Sequence, residues 1–386
     1  MADLISLKQP VPAEAPVCVE ASVASRPGRV SAGHHLPELD GIRAIAILIV
    51  IFFHYWQIFS GRPGTIFGEL ALLGKTGVDL FFVLSGFLIT GILLESKGTE
   101  HFLRNFYVRR MLRIFPIYYA TLFVLYIVLP LFHLAPWVQF RQNFWFWIYL
   151  QNMPQTFAGG PLYGPRHFWS LAVEEQFYFF WPFLVMSFER RTLLKITGAG
   201  VILAILVRIA LWRYSTFYFT LARIDGLAMG SALAILARSL RGDMPRLAKW
   251  ARLTLPVAVA SLVCIVVFAH RRWAGPLGVQ KYTWVSLIYT CLITLAIANG
   301  LGKTAGAMLS SRVLGSIGRV SYGMYIFHPF IITGLHQLGL PFSAIGLLVA
   351  VSLTYAAGAV SWWTFEKRVL HLKRHFNYSW RDGPSQ

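Results

Sequence analysis

The sequence has little charge and very little cysteine. Only 13% of its 386 residues are Asp, Glu, Lys or Arg, whereas a soluble globular chain carries about 25%. A soluble core within a water-exposed surface is therefore excluded for most of the chain. The three cysteines, Cys18, Cys264 and Cys291, lack the spacing of a disulfide framework, a metal site or a redox motif. The sequence therefore indicates no metal site.

Acidic residues are scarce, 16 against 35 Lys and Arg, which gives a net charge of +19. In a soluble protein this excess would suggest binding to nucleic acid. Here apolar runs of roughly 18–20 residues recur along the chain, which is typical of an integral membrane protein. The runs are continuous rather than alternating, which favours helices over a barrel. The positive charges are then topology signals, and we expect no nucleic-acid partner.

The apolar runs predict an all-α integral membrane protein, a polytopic bundle of about ten transmembrane helices. The predicted spans are 41–59, 77–95, 114–134, 168–187, 193–212, 217–237, 253–269, 284–301, 320–339 and 343–363. The aromatic segment 144–152 is too short to cross, so it is a re-entrant or interfacial piece or half of an eleventh span. Residues 1–36 are predicted to be a flexible cytoplasmic tail, 37–365 the membrane domain, and 366–386 a basic cytoplasmic tail.

Lys and Arg are distributed unequally between the two sides of the predicted bundle. With the N-terminus inside, the inner segments hold 24 of these residues and the outer segments hold eight. Because Lys and Arg are enriched in cytoplasmic loops, an even number of spans predicts that both termini are inside. We find no internal repeat, which argues against a transporter built from two similar halves.

Ionisable side chains in several predicted spans share one level. Such groups are costly in lipid, so each is a candidate functional residue. The span directions place the following residues in the outer half or near mid-depth: His54, Asp79, Glu174, Glu175, Asp225 and His328. Each of them alone is equally well explained as a buried structural hydrogen bond. Because they come from five different spans, we predict a reactive site at this level.

Arginines collect at the predicted cytoplasmic side. The segment FYVRRMLRIFP carries Arg109, Arg110 and Arg113, and the last two share a helix face. Arg43 lies at the same level, eleven residues before His54, so those two share a face about 16 Å apart. The arginines are either ordinary topology signals or a site for a polyanion such as a phosphorylated ligand. Coenzyme A fits the second alternative, because a thin arm separates its nucleotide head from its thioester.

Five ordered segments resemble the acyltransferase family 3 membrane proteins, which O-acylate bacterial surface and exported sugars. They are LDGIRAIAILIVIFFH, GVDLFFVLSGFLI, FYVRRMLRIFPIYY, HFWSLAVEEQFYFFWP and SYGMYIFHP. The resemblance covers about residues 36–365. The family's pattern of Arg or Lys, ten residues and then His matches Arg43 and His54, and its Arg-x-x-Arg motif matches Arg110 and Arg113.

The resemblance implies ten or eleven helices in the bacterial inner membrane. It implies acyl-CoA, most commonly acetyl-CoA, as a cytoplasmic co-substrate rather than a tightly bound cofactor, and a carbohydrate or glycolipid hydroxyl as acceptor. The other expected partners are membrane lipids. Some relatives carry an appended extracytoplasmic domain of the SGNH hydrolase type. This chain ends about twenty residues after its last predicted span, so we expect the stand-alone form, with the acceptor site built from spans and outer loops.

His54 is the predicted general base, because imidazole titrates near neutral pH and can take a proton from a hydroxyl. Glu174 or Glu175 is predicted to orient the imidazole, as carboxylates do in catalytic triads, and the sequence does not choose between them. Transfer is either direct attack on the thioester or passage through a transient acyl-enzyme, for which an acyl-histidine is open. Arg43, Arg109, Arg110 and Arg113 are the predicted donor-binding residues.

The remaining candidates have alternative explanations. Asp79 is a candidate catalytic residue or a helix cap. Ser85 is a candidate substrate-binding residue or, with the glycine that follows it, a site of close helix packing. Trp169 is a candidate substrate contact or a packing residue. His328, which precedes a proline, is a candidate substrate contact, a structural residue or a catalytic residue, and Asp225 completes the predicted substrate-binding set.

Two other classes of function share some of these features. A multi-span transporter or flippase for a glycolipid or an anionic solute would also have many spans and buried charges, although the ordered motifs argue against it. A non-catalytic membrane scaffold would tolerate loss of His54. Consumption of acyl-CoA distinguishes the transporter from the enzyme, and the product made by His54→Ala protein distinguishes the scaffold.

Overall fold

The fold is described from a computed structural model, for residues 36–60, 73–158, 163–240, 243–269, 278–376 and 378. Residues 1–35 of the predicted N-terminal tail and 379–386 of the predicted C-terminal tail lie outside the described residues. Every regular element of the described part is a helix. The prediction of an all-α protein is therefore confirmed.

The helices are numbered here in chain order. They are α1 Pro37–Phe59, α2 Gly77–Ser96, α3 Phe102–Phe123, α4 Phe140–Trp147, α5 Asn152–Phe157, α6 Trp169–Ser187, α7 Arg190–Ala210, α8 Thr220–Ser239, α9 Met244–Ala269, α10 Lys281–Ile297, α11 Lys303–Leu309, α12 Arg312–Gln337, α13 Ala344–Ser361 and α14 Lys367–His371. A π-helical turn, Val124–Val128, extends α3, and another, Trp362–Glu366, joins α13 to α14.

Each of the ten predicted spans coincides with a helix, but not every helix is long and apolar enough to cross a membrane. Seven are: α1, α2, α3, α7, α8, α9 and α13 with its continuation. Of the other three, α10 has only 17 residues, and polar side chains such as Glu174 and Glu175 lower the mean hydropathy of α6. The third, α12, carries Arg312, Arg319 and His328. The multi-span character is confirmed, whereas in the described part of the chain seven rather than ten spans meet the requirements of length and apolarity.

Neighbouring helices run in alternating directions, as predicted. Segments predicted to lie on the inner side touch one another through Lys97 and Phe188, Arg190 and Arg238, and Glu38 and Ser310. Residues at or near the predicted outer ends of spans touch one another through Tyr55 and Ser343, and through Asn152 and Tyr218. Two sets of loops therefore form at opposite ends of the bundle.

The aromatic segment 144–152 forms the end of α4, a break and the start of α5. The break lies at Tyr149, whose φ is 55°. With eight residues, α4 is about 12 Å long, so it cannot cross a membrane. The Tyr118 hydroxyl on α3 donates a hydrogen bond of 2.7 Å to the Phe146 carbonyl. The segment therefore packs onto the bundle as a re-entrant or interfacial piece.

Glycines allow α2 and α8 to pack closely at the centre of the bundle. Gly86 on α2 lies against the backbone of Leu227, and Gly230 on α8 lies against the backbone of Val83. A Cβ atom at either glycine would collide with main-chain atoms of the other helix. Small residues commonly allow such close approach between membrane helices. The packing role considered for the glycine after Ser85 is therefore confirmed.

Candidate functional site

A cavity of about 860 Å³ lies at the predicted outer end of the bundle. Its walls include His54 of α1, His167 and Trp169 at the start of α6, Tyr282 of α10 and Tyr325 of α12. Ligand pockets for small molecules commonly measure about 300–1,000 Å³. The cavity is therefore large enough for a sugar residue, and its aromatic walls suit the apolar faces of one.

Three histidines from different parts of the chain meet at this cavity. The ring centroid of His328 lies 4.8 Å from that of His54 and 5.3 Å from that of His167. The structure thus brings together two candidates from the sequence, His54 and His328. His167 was missed as a site residue, although it is the first residue of the segment HFWSLAVEEQFYFFWP. Its place in one of the five family-like segments was the signal that could have identified it.

Backbone carbonyls fix which ring nitrogens carry hydrogen. His328 Nδ1 lies 2.8 Å from the carbonyl oxygen of Tyr325, and a carbonyl only accepts, so Nδ1 is the donor and neutral His328 keeps a lone pair on Nε2. His54 Nδ1 lies 3.0 Å from the Val50 carbonyl and 3.3 Å from His328 Nε2. Its hydrogen therefore faces two acceptors. Neutral His54 consequently keeps its own lone pair on Nε2, where a general base needs it.

The two glutamates of α6 lie closer to the arginines. Ser85 donates a hydrogen bond of 2.8 Å to Glu174 Oε1, and Tyr178, one turn further along α6, is within electrostatic range of Glu174. Both Glu174 and Glu175 are within electrostatic range of Arg110. The buried Glu175 Oε1 atom has no hydrogen-bond partner among the described residues.

The structure does not bring either glutamate to His54. Among the described residues, the hydrogen-bond partners of the His54 ring are the Val50 carbonyl and His328. Ser85, the partner of Glu174, lies near the middle of α2, so the glutamates reach a deeper level than their predicted outer third. The orienting position that we assigned to Glu174 or Glu175 is therefore occupied by His328.

The predicted donor-binding arginines converge at the predicted inner end of the bundle. Arg113 is within electrostatic range of Arg43, Arg110 and Glu366, and its guanidinium lies 5.2 Å from the ring centre of Trp362. Because α3 begins at Phe102, Arg110 and Arg113 project from the helix itself instead of from a loop at its mouth.

Arg43, on the first span, is paired with a carboxylate of its own helix. Arg43 forms an ion pair of 2.8 Å with Asp40, one turn earlier on α1, and 35% of its side chain is exposed. It is also within electrostatic range of Glu174. Arg110 forms no hydrogen bond or ion pair with another described residue and is half-buried. Its guanidinium is therefore available to an anionic ligand.

One face of α2 connects the two ends of the site. The Phe81 ring lies 6.3 Å from the ring of Tyr325, which lines the histidine cavity. One turn further along, Ser85 bonds Glu174, which is in turn within range of the arginines. The α2 face therefore leads from the histidine cavity to Glu174, which lies within electrostatic range of Arg43 and Arg110.

Asp79 and Asp225, both candidates from the sequence, lie in buried ion pairs. Asp79 is 2.6 Å from Arg223, and Asp225 is 2.9 Å from Arg208. Thr283 also donates to Asp225, at 2.8 Å. These pairs connect α2, α7, α8 and α10. Asp79 makes no capping hydrogen bond at the start of α2, so that alternative is wrong.

Trp169 forms part of the cavity wall and also covers a buried cation. The Arg223 guanidinium lies 4.2 Å from the ring centre of Tyr282, 5.1 Å from that of Phe217 and 5.7 Å from that of Trp169. All three rings also line the cavity. A cation held against aromatic faces is stabilised by the ring quadrupoles. Arg223 therefore stabilises the positions of the three aromatic rings that line the cavity.

The described lining of the cavity is positively charged. It includes Lys75 and Arg166 and no Asp or Glu. Lys75 is within electrostatic range of His54. Within the described ranges, no group of His, Cys, Asp and Glu side chains is arranged to hold a metal ion. The arrangement suits proton transfer by imidazole.

Comparisons with known proteins identify relatives over most of the chain. The family model described as "Acyltransferase domain" matches residues 36–366. A putative peptidoglycan O-acetyltransferase, YrhL of Bacillus subtilis, is 32% identical over 339 residues, 80% of this chain and 51% of YrhL. The peptidoglycan O-acetyltransferase OatA of Listeria monocytogenes is 31% identical over 329 residues, 78% of this chain and 50% of OatA.

A putative O-acetyltransferase of Staphylococcus aureus is 28% identical over 332 residues, 78% of this chain and 52% of that protein. The chain thus spans about half the length of the curated relatives it matches. No solved structure matches it.

Proposed function

The chain belongs to acyltransferase family 3, and from that premise we propose that it is a membrane-bound O-acyltransferase. It moves an acyl group, which we propose to be acetyl, from cytoplasmic acyl-CoA to a hydroxyl of a carbohydrate or glycoconjugate. The acceptor is modified at the outer side of the bacterial inner membrane. Because the relatives are named as peptidoglycan O-acetyltransferases, peptidoglycan is the first acceptor to test.

The observation that carries this proposal is the tautomer of His54 beside the cavity. With Nδ1–H held by the Val50 carbonyl and His328, Nε2 is the basic atom. In the proposed reaction His54 Nε2 takes the hydroxyl proton while the acceptor oxygen attacks the thioester carbonyl. The carbon–sulfur bond breaks, and the imidazolium returns the proton to the departing thiolate. A general base of this kind contributes typically ~10²–10⁴ in rate.

The arginines supply the proposed donor site. Arg113 is within electrostatic range of both Arg43 and Arg110. Guanidinium groups bind phosphates through paired hydrogen bonds. The separation of Arg43 and His54 along α1, about 16 Å, suits an extended pantetheine arm. The contacts of Phe81 with Tyr325 and of Ser85 with Glu174 also lead along α2 from the histidine cavity toward the arginines.

The proposed topology has ten spans with both termini in the cytoplasm. The excess of Lys and Arg at the arginine end of the bundle supports this orientation. The donor then enters from the side where acyl-CoA is made, and the histidine cavity faces the side where surface glycans are assembled. The two less apolar helices, α6 and α12, carry polar residues toward the site, which is typical of functional membrane helices.

Acetyl transfer by purified protein tests the proposal. Wild-type protein in proteoliposomes is expected to consume acetyl-CoA and to label a muropeptide or glycan acceptor, whereas His54→Gln protein is expected to lose at least ~10²-fold in kcat. His133→Asn is the matched control, because His133 is exposed and its positive φ of 56° suits Asn. Full activity in folded His54→Gln protein would exclude His54 as the base.

A further inference from the structure

The C-terminal segment Leu372–His375 and the residues after it return to the arginines of α3. Arg109 Nη1 donates to the carbonyl oxygens of Lys373, at 3.3 Å, and of Phe376, at 3.1 Å. The Arg109 guanidinium also lies 5.5 Å from the ring centre of Tyr378, and Arg104 lies 5.5 Å from that of Phe376. The segment is therefore docked on the donor end of the bundle.

This docking adds a fourth cation to the arginine cluster. The Lys373 ammonium is within electrostatic range of Arg109, Arg110 and Arg113. No described carboxylate is within that range of Lys373, whereas Glu366 lies near Arg113. Like charges gathered in this way repel one another, so an anion that carries several charges would stabilise the cluster beyond what Glu174 and Glu175 near Arg110 provide.

Among the described cations after α13, Lys373 is the one that faces this cluster. Lys373 is half-buried, whereas Lys367, Arg368 and Arg374 are exposed. Residues that merely supply positive charge to a cytoplasmic surface have no need of burial among arginines. The selective burial of Lys373 therefore indicates a ligand-binding position.

We propose that Lys373, together with Arg110 and Arg113, forms a phosphate-binding site that holds the nucleotide end of the donor. This inference rests on the proposed function. It adds a phosphate-binding side chain from the segment that was predicted to be a cytoplasmic tail. Inner-leaflet phospholipids offer the same phosphate chemistry and are attracted to basic residues at the membrane surface. The test must therefore separate the two sources of phosphate.

The test compares Lys373→Gln with Arg374→Gln in nanodiscs made only of zwitterionic phosphatidylcholine. Charge-assisted hydrogen bonds are strong enough that losing one costs about tenfold or more in affinity. Lys373→Gln is therefore expected to raise the KM for acetyl-CoA about tenfold with kcat unchanged, and Arg374→Gln to leave both unchanged. The Kd of CoA is expected to rise in parallel, while the Kd of pantetheine, which has no phosphate, stays the same.

Each other outcome overturns the proposal. An unchanged KM in Lys373→Gln protein, or an equal loss of affinity for pantetheine and CoA, would show that Lys373 does not bind phosphate. Weaker binding to phosphatidylglycerol vesicles with unchanged CoA affinity would assign the site to lipid. Wild-type protein that transfers acetyl while Lys373→Gln behaves normally would refute this site alone, whereas wild-type protein without any transfer would refute the proposed function.

Discussion

His328 holds the general-base candidate in one tautomer and one orientation. Its Nε2 atom accepts from His54 Nδ1 while its own Nδ1 is committed to the Tyr325 carbonyl. Because the Val50 carbonyl also accepts from His54, losing His328 would weaken this arrangement without abolishing it. His328 is therefore a positioning residue in the proposed reaction, and Glu174 has no described contact with the ring.

We expect His328→Leu to lower kcat about fivefold with little change in the KM for acetyl-CoA. A neutral hydrogen bond contributes about 1 kcal/mol, which corresponds to about a factor of five in rate. His328→Gln keeps an acceptor near the position of Nε2 and should recover part of the loss. Steady-state kinetics of the two variants check this, and equal kcat values for them would rule out a role for that acceptor.

Asp79 is expected to act through stability rather than through chemistry. It is buried against Arg223 at 2.6 Å, and removing one partner of a buried ion pair costs about 3–5 kcal/mol. Asp79→Asn should therefore lower the thermal unfolding temperature in detergent, with the double variant Asp79→Leu, Arg223→Met less affected than Asp79→Asn. If Asp79→Asn unfolds like the wild type and yet is inactive, Asp79 belongs to the catalytic machinery instead.

The sequence identifies candidate residues better than it identifies their partners. The spacing of Arg43 and His54 predicts a shared face because both lie on one helix, whose geometry is fixed. The pairing of His54 with His328, and of Glu174 with Ser85, depends on how separate helices are rotated about their axes. Hydropathy carries little information about that rotation, so the glutamate was assigned to the wrong neighbour.

The interface of α2 and α8 carries much of the geometry of the site. It positions Ser85 and Asp79 on one side and Arg223 on the other, and it depends on glycine at its two closest approaches. A methyl group there would push the helices apart. The site should therefore be sensitive to a substitution that touches none of its residues.

Gly230→Ala is expected to destabilise the protein by about 1–3 kcal/mol, the usual cost of overpacking, and to lower acetyl transfer. Gly198→Ala is the matched control, because a Cβ atom at Gly198 on α7 would meet nothing within 4 Å. That control should be neutral or slightly stabilising, since Ala favours helix over Gly. Thermal unfolding of both variants in the same detergent measures the difference, and equal transitions would contradict the packing argument.

Helix positions were predictable from apolar runs, and helix starts were less so. The third span was predicted to begin at residue 114, whereas α3 begins at Phe102. Its first turns carry Arg104, Arg109 and Arg110, which lower the hydropathy although the backbone is helical. Tertiary contacts with the C-terminal segment, such as Arg109 to Phe376, stabilise these turns, and no local pattern reports such contacts.

The whole bundle has a polar axis, with arginines at one end and imidazoles at the other. The charge asymmetry of the loops predicts which end is cytoplasmic, and the alternating helix directions agree with it. Seven helices satisfy the length and apolarity of a span, whereas α12 is less apolar and supplies His328. The direction of α12 therefore decides whether the proposed site faces outward.

Single cysteines at the two ends of α12 test the proposed topology in a background without native cysteines. Lys303 and Leu338 are both exposed, and they precede and follow α12. In intact cells a membrane-impermeant maleimide is expected to label Leu338→Cys protein at once and Lys303→Cys protein only after permeabilisation. Labelling of both residues from one side would mean that α12 does not cross, and the reverse pattern would place the arginines outside, where acyl-CoA does not reach them.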